Sequence, residues 1–273
     1  MEMYSKLKKD GFIRQRQDNY FSMRAVSTAG YFTSSQLQTI LNVADTYGQG
    51  YVHITSRQSV AIPFIHLDNT EKAKRMLNEG GVEVGAYGAY VGAVSACQGN
   101  RVCPSGLVDT FELASKIETR YNNRELPNKI NVGVAGCPNN CVRVQQNNIG
   151  IKGGVVPHWT ADKCNYCGAC AKVCRAGAIT VDSINKSWTI EADKCVNCGR
   201  CIKNCRRAAI AGDIGYIIIL NGSVTLPIIF NVDEVLNAMD SVIEFFVSNA
   251  KHGERFRVVF ERDFDINNIS AKA

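Results

Sequence analysis

Nothing in this 273-residue sequence is long and apolar enough to cross a bilayer. Its longest apolar run, around Tyr216–Leu220, falls far short of the roughly 20 residues that a spanning helix needs. Met1–Lys9 is charged and polar and lacks the apolar core of a secretion signal. No basic block interleaved with aromatics is present, so neither nucleic acid nor a membrane is an expected partner. No G-x-G-x-x-G follows a strand pattern, which argues against a dinucleotide or flavin site of that kind. The net charge of +6 is spread along the chain, and the 45% hydrophobic content supports a sizeable core without disulfides. A cytoplasmic home is expected. What the sequence does have is cysteine, twelve in all. In a reducing cytosol these are metal ligands before they are disulfides.

The length suits one large domain or two to three small ones. Tyr20–Val26 reads as a strand. Thr33 opens a helix with Gln36 placed for a capping box, and Leu37, Ile40, Leu41 and Ala44 recur at helical spacing. Val52 with Ile54, and Val60 with Ile62 and Phe64, alternate as strands. A second helix is expected over Thr70–Asn78, closed by Gly80 and Gly81. Leu107, Phe111, Ala114, Ile117 and Tyr121 mark another helix. Asn128–Ala135 reads as a strand running into Gly136-Cys137-Pro138, where Pro138 suits the first turn of a helix. After a cysteine-dense block, Tyr216–Leu220 and Ile228–Phe230 read as strands. Asn231 and Glu234 cap a strongly amphipathic helix, Arg257–Phe260 reads as a closing strand, and Asp263–Ala273 as a polar tail.

The cysteines fall into frames. Cys164, Cys167, Cys170 and Cys174 are spaced C-x2-C-x2-C-x3-C, and Cys195, Cys198, Cys201 and Cys205 repeat that spacing. Two such copies form a bacterial ferredoxin signature, in which the fourth cysteine of each run reaches the other cluster. Cys164, Cys167, Cys170 and Cys205 are thus expected around one 4Fe–4S cluster, and Cys195, Cys198, Cys201 and Cys174 around a second. Gly168 and Gly199 let the backbone come close. Arg175 and Arg206 stand where a proline usually follows the fourth cysteine; they either add positive charge near the clusters, dock an anionic donor, or are plain surface cations. Paired zinc sites would leave the third and fourth cysteines of each frame unexplained. The other four form Cys97-x5-Cys103 and Cys137-x3-Cys141. They suit a third cubane, with Cys137 and Cys141 on the first turn of a helix whose N–H groups stabilise thiolate; ordinary buried cysteines are the alternative.

Ala96-Cys97-Gln98-Gly99-Asn100-Arg101-Val102-Cys103, followed by Gly136-Cys137-Pro138-Asn139-Asn140-Cys141, resembles the siroheme/4Fe–4S signature of sulfite and nitrite reductases. Thr55-Ser56-Arg57-Gln58 resembles their T-x-R-Q motif. The ferredoxin insert resembles that of the anaerobic and dissimilatory sulfite reductases, above all the catalytic chain of the anaerobic enzymes. The resemblance covers about residues 15 to 262. It implies an α+β fold in three parts: a ferredoxin-like half domain (15–80), an α/β siroheme-cluster domain (81–156 and 213–262), and an inserted two-cluster ferredoxin domain (157–212).

By the same resemblance, Cys97, Cys103, Cys137 and Cys141 hold a cluster coupled to siroheme, with Cys141 also the bridge to its iron. Arg24 and Gln58 contact the siroheme. Arg57 and Lys129 face a small anionic substrate, sulfite or nitrite, which six electrons reduce to sulfide or ammonia. Electrons come from an external ferredoxin or reductase subunit. Larger family members hold two copies of this unit, which implies a homodimer or a pairing with a related subunit here. Three positions depart from the family: Gly92 replaces an arginine, Asn131 replaces a lysine in the manner of the nitrite-reducing branch, and only Asn221-Gly222-Ser223 stands where relatives carry a Gly-Gly loop. An electron-transfer or siroheme-binding paralogue without turnover is the alternative.

Overall fold

The computed structural model describes residues 2–85, 88–121 and 124–265. Its first part is a sheet with helices on it. A short helix α1 (Glu2–Lys9) leads into β1 (Phe12–Arg14) and β2 (Tyr20–Val26). α2 (Ser34–Tyr47), β3 (His53–Ile54), β4 (Val60–His66), α3 (Thr70–Glu79) and β5 (Glu83–Val84) follow. The strands lie in the order β1-β2-β4-β3, antiparallel throughout, with β5 on β2. β2 alternates strictly: Phe21, Met23 and Ala25 are buried and their neighbours are not, the period of a strand with one covered face.

The expected Thr33–Gln36 capping box is formed on both sides. The buried stripe of α2 is Ile40, Val43 and Ala44, whereas Leu37 and Leu41 are 44% and 46% exposed. Apolar periodicity located the helix and turned its face by part of a turn, because leucine spacing alone does not say which side meets the sheet.

The second part is built on a five-stranded sheet ordered β12-β11-β8-β7-β6. Its elements are β6 (Ser95–Ala96), the short α4 (Gly99–Val102), α5 (Thr110–Tyr121), β7 (Val132–Ala135) and β8 (Ile149–Trp159). A block then intervenes, with α6 (Ala169–Val173), the hairpin β9 (Ile179–Asp182) and β10 (Ser187–Ile190), and α7 (Arg200–Lys203). β11 (Ile210–Leu220), β12 (Val224–Thr225), α8 (Val232–Asn249) and α9 (Phe256–Asp263) complete it. β6, β7 and β8 run parallel; β8 and β11 pair antiparallel from Ile149↔Leu220 to Trp159↔Ile210. The cysteine-dense block hangs from the far end of that ladder. Helices α5, α8 and α9 cover one core with Leu113, Ile117, Met239, Ile243, Phe246 and Phe256.

Four expectations change. Arg257–Phe260 lies within helix α9, because Phe256, Val259 and Phe260 share one face and bury against Phe246. The strand read from Asn128 begins only at Val132; Asn128 instead accepts the Lys129 N–H and donates to Gly253 O. Ile228–Phe230 makes a single bridge, Ile229 with Tyr216. Pro138 starts no helix: Cys137–Arg143 runs as successive turns with Asn140 and Arg143 left-handed, φ 56° and 49°. Asn140 holds that path by accepting the Val144 N–H at 2.9 Å, the local side-chain bond that makes asparagine favour turns over helices. Of the tail, 266–273 lie outside the described residues. Among the described residues no helix is long and apolar enough to cross a membrane.

Leu113 is fully buried on α5, so Leu113→Ala is expected to cost about 2–5 kcal/mol in chemical denaturation. Leu41→Ala is expected to stay within about 0.5–1 kcal/mol.

Candidate active site

The T-x-R-Q segment is a hairpin turn between β3 and β4. Thr55 accepts the backbone N–H groups of Arg57 and Ser59 at 3.3 and 3.2 Å through its hydroxyl. That is why a threonine serves there: it ties the turn and leaves Arg57 and Gln58 projecting. Gln58 takes a left-handed φ of 58°. Its amide donates to Ala96 O at 2.8 Å and accepts the Ala96 N–H at 2.7 Å. Gln58 therefore continues the edge of β6 as a strand would, one residue before Cys97. Arg57 donates from Nη1 to Asn147 Oδ1, and Asn147 is itself buried and tied to Val144 O. Both side chains join the half domain to the cysteine-bearing part of the same chain.

Cys97, Cys103, Cys137 and Cys141 line one cavity of 640 Å³ together with Gln58 and Gly136. Close approach is enforced by glycine. A Cβ on Gly136 would stand 2.8 Å from the Gly99 Cα, and one on Gly106 2.4 Å from the Asn100 N. The Gly136 N–H donates to Cys97 Sγ at 3.0 Å. Burial pushes the Cys137 thiol up, and Cys97, Cys103 and Cys141 add to that push, so the four sulfurs share one electrostatic neighbourhood. Among the described residues no three His, Cys, Asp or Glu side chains converge as tightly as a single metal ion requires. Four thiols spread around a roomy cavity, with a backbone N–H on sulfur, fit a cubane, whose corners lie apart.

The repeat at residues 164–174 and 195–205 is reproduced in the backbone. Left-handed pairs occur at Tyr166 and Asn197, Gly168 and Gly199, and Gly177 and Ala208, each 31 residues apart. The N–H of Ala178 meets Cys174 Sγ at 3.3 Å, and that of Ala209 meets Cys205 Sγ at 3.2 Å. Cys174, Cys195, Cys198 and Cys201 line a single cavity of 150 Å³. Burial pushes the Cys201 thiol up to about 11, with Cys198 and Cys195 adding to it. Cys170 and Cys201 share one buried cluster with Ile179 and Ile210, against which Trp159 and Trp188 pack. Pro138 and Asn139, from the Cys137–Cys141 turn, reach that same cavity, so the two cysteine systems adjoin.

The cations gather elsewhere. Arg24 and Lys129 line a groove of 410 Å³ with Lys8, Gly92 and His252. Lys129 sits below the ordinary lysine range, first through burial and then through the charges of Arg24 and Arg57. Burial likewise lowers Arg57. A Cβ on Gly92 would stand 2.9 Å from Lys129 Cε. The missing side chain at residue 92 is thus the space that Lys129 occupies. Asn131 Oδ1 is buried beside it with no hydrogen-bond partner. This groove and the sulfur cavity share no lining residue.

Residues 13–80 match the nitrite/sulfite reductase ferredoxin-like half domain, and residues 87–263 match the nitrite and sulphite reductase 4Fe-4S domain. The chain belongs to the nitrite and sulfite reductase family. It is 37% identical over 256 residues to a coenzyme F420-dependent sulfite reductase of Methanocaldococcus jannaschii, covering 91% of this chain and 41% of that protein. It is 32% identical over 173 residues to one of the subunits of the anaerobic sulfite reductase of Salmonella typhimurium, covering 58% of this chain and 51% of that one. The chain thus spans about half the length of these relatives or less. Dissimilatory sulfite reductase I shares the fold, with a TM-score of 0.73 at 18% identity over 93% of this chain and 69% of that one. The resemblance drawn from the T-x-R-Q and cysteine motifs is therefore a family membership, with a mixed α+β fold.

Sequence reasoning missed Asn147, which holds Arg57, and Glu118, whose carboxylate accepts the Val94 N–H beside β6. Neither belongs to a spacing pattern; only the fold brings them in. Burial pushes the Glu118 carboxyl up, against bonds from Thr28 and Val94. A carboxyl raised in the folded state favours folding most below its unfolded value and loses that contribution as pH rises through the folded one. Glu118→Gln keeps an acceptor for Val94. It is expected to match wild-type stability in acid and exceed it at neutral and alkaline pH, as read by thermal melts across pH. Gln58→Leu would leave both polar groups of Ala96 without their partner and is expected to cost about 2–4 kcal/mol, read by denaturation of the assembled protein.

Proposed function

We propose that the chain is the siroheme-bearing part of a six-electron reductase of sulfite or nitrite, fed through an inserted two-cluster ferredoxin domain. The observation that carries this reading is the sulfur cavity of Cys97, Cys103, Cys137 and Cys141, held at the end of the T-x-R-Q turn by the Gln58–Ala96 pairing. These four cysteines would hold the coupled 4Fe–4S cluster, with Cys141, the exposed one, facing the siroheme. Cys164, Cys167, Cys170 and Cys205 would hold one ferredoxin cluster and Cys195, Cys198, Cys201 and Cys174 the other, three clusters in all. Siroheme with its coupled cluster would supply the iron that passes electrons to the bound anion, whose oxygens leave as water.

The protein residues do the rest. Arg57, fixed by Asn147, presents a permanent charge that orients an oxyanion. Arg24 adds to the positive field. Lys129 Nζ, with its proton loosened by burial and two neighbouring cations, delivers protons to the departing oxygens. Asn131 Oδ1, buried and unpartnered, accepts from a protonated form of the substrate. Because the cation groove and the sulfur cavity do not share residues, we assign the cations of one copy to the sulfur cavity of another, in a homodimer or a pairing with a related subunit. The insert, residues 157–212, holds nine Lys and Arg against four Asp and Glu, five of the chain's six net positive charges. That basic surface suits an acidic external electron donor, a ferredoxin or reductase subunit, working in a reducing cytoplasm.

Anaerobically assembled protein is expected to carry about twelve irons per chain and a siroheme band, to sediment as a dimer, and to turn over sulfite or nitrite with a reduced viologen. Siroheme and twelve irons without turnover of either anion would leave the paralogue reading, a carrier without catalysis. Lys129→Met is expected to lower kcat/KM at least about 100-fold. In the wild type the activity is expected to fall with rising pH through a value below the ordinary lysine value of 10.5, and Lys129→Arg is expected to remove that limb.

A further inference from the structure

The turn between α8 and α9 is fastened to the segment that carries Lys129. The Gly253 N–H donates to Pro127 O at 2.9 Å. Asn128 holds both sides with one side chain: its amide donates to Gly253 O at 2.7 Å, and its oxygen accepts the Lys129 N–H at 2.7 Å. The turn is also closed on itself. The Glu254 carboxylate accepts the Lys251 N–H at 3.0 Å and a bond from Arg262 Nη1 at 2.6 Å. Gly253 supplies the left-handed φ of 82° at its centre. His252, exposed beside that glycine, is thereby set in the lining of the groove that Lys129 shares.

Its surroundings set His252 apart from two of the other histidines. His66 and His158 each lie against an aspartate, Asp68 at 3.3 Å and Asp213 at 2.6 Å. The ionisable groups that line the groove with His252 are Lys8 of α1, Arg24 of β2, Tyr90 and Lys129, and among the described residues no Asp or Glu lines it. The acids nearby are taken: Glu254 by Arg262, and Glu125 by Lys9 at 2.9 Å. Imidazole is the side chain whose charge changes near neutral pH. Cations around an imidazole oppose its charged form, and an anion placed among them favours it.

We propose that His252 takes up a proton when an oxyanion enters this groove and holds it beside Lys129 for delivery to the departing oxygens. This rests on the reductase reading of the groove. On binding, one proton passes from water to the imidazole, and no electron moves. The reaction needs such a store. Reducing bisulfite to HS⁻ and three waters consumes six protons with the six electrons, and reducing nitrite to ammonium and two waters consumes eight. Lys129 is partly buried and gives one proton at a time, so it must be refilled between steps. His252 is open to water and tied to Lys129 through Asn128. It acts through Lys129, as a residue that positions a proton.

The test is calorimetric and uses the assembled, oxidised protein with nitrite, an anion that keeps its charge across neutral pH. Titrations in MOPS and in Tris, whose ionisation heats differ, count the protons taken up per nitrite bound. The wild type is expected to take up a proton, so that its Kd rises by up to about tenfold per pH unit. His252→Gln is expected to lose both the uptake and the slope. His252→Lys, with its charge fixed, is expected to keep the affinity that the wild type has at low pH and to lose the slope. Lys129→Arg is expected to keep the uptake. Uptake unchanged in His252→Gln, uptake lost in Lys129→Arg, or a wild type that binds no nitrite would overturn the proposal. A wild type that binds nitrite with this uptake and turns over neither anion would fail the reductase reading alone, and His252 would stand as the proton-taking group of an anion site.

Discussion

The antiparallel ladder between β8 and β11 carries two loads at once. Along Ile149–Val155 and Ile214–Leu220 it is the middle of the sheet, with Ile149, Ile151, Ile218 and Leu220 buried under the helices. At its far end, where Trp159 faces Ile210, it holds the ends of the cysteine-dense block. A ladder fixed in register by a buried face cannot slip by one residue without turning its whole apolar set outward. The same pairing that closes the core therefore sets where the insert sits relative to the Cys137–Cys141 turn, and hence how the two cysteine systems adjoin.

Against that fixed frame, the site is assembled by close backbone approaches. Gly136 lets the Cys137–Cys141 segment meet the Cys97–Cys103 segment at Gly99, and Gly99 and Gly106 let residues 99–110 fold tightly on themselves, where any Cβ would collide. A Cβ on Gly153 of β8 would stand 2.5 Å from Gly136 O, which brings the ladder itself against the sulfur cavity. The half domain is then fastened by polar side chains, Gln58 on Ala96 and Arg57 on Asn147. These are partly buried contacts in which a lost partner leaves a desolvated group behind, so they give orientation more than bulk stability. The cations that would bind an anion and the sulfurs that would hold the clusters are thus positioned by different means and open on different grooves.

The departures from the family pattern look different once packed. At residue 92 glycine admits Lys129, whose ammonium lies among Arg24 and Arg57. Asn131 keeps a polar oxygen buried next to that cation. The short Asn221–Gly222 connection is a hairpin turn between β11 and β12, with Gly222 left-handed and pressed against Gln145 O.

Read alone, the residues determined the cysteine frames, the T-x-R-Q turn, the capping box at Thr33 and the α+β class. Each is a short-range pattern, set by ligand spacing, by a local hydrogen bond or by apolar period. The repeat of the insert was also legible, since a 31-residue shift is visible in one dimension. Tertiary structure decided the rest. Phe256–Phe260 became helix because all its aromatic rings find one buried face. Cys137–Arg143 stayed a chain of turns because Asn140 closes them. Glu118 and Asn147 joined the site from distant segments, with no spacing to announce them. Burial and neighbouring charge, which shift Lys129, belong to packing in three dimensions, and no linear pattern encodes them.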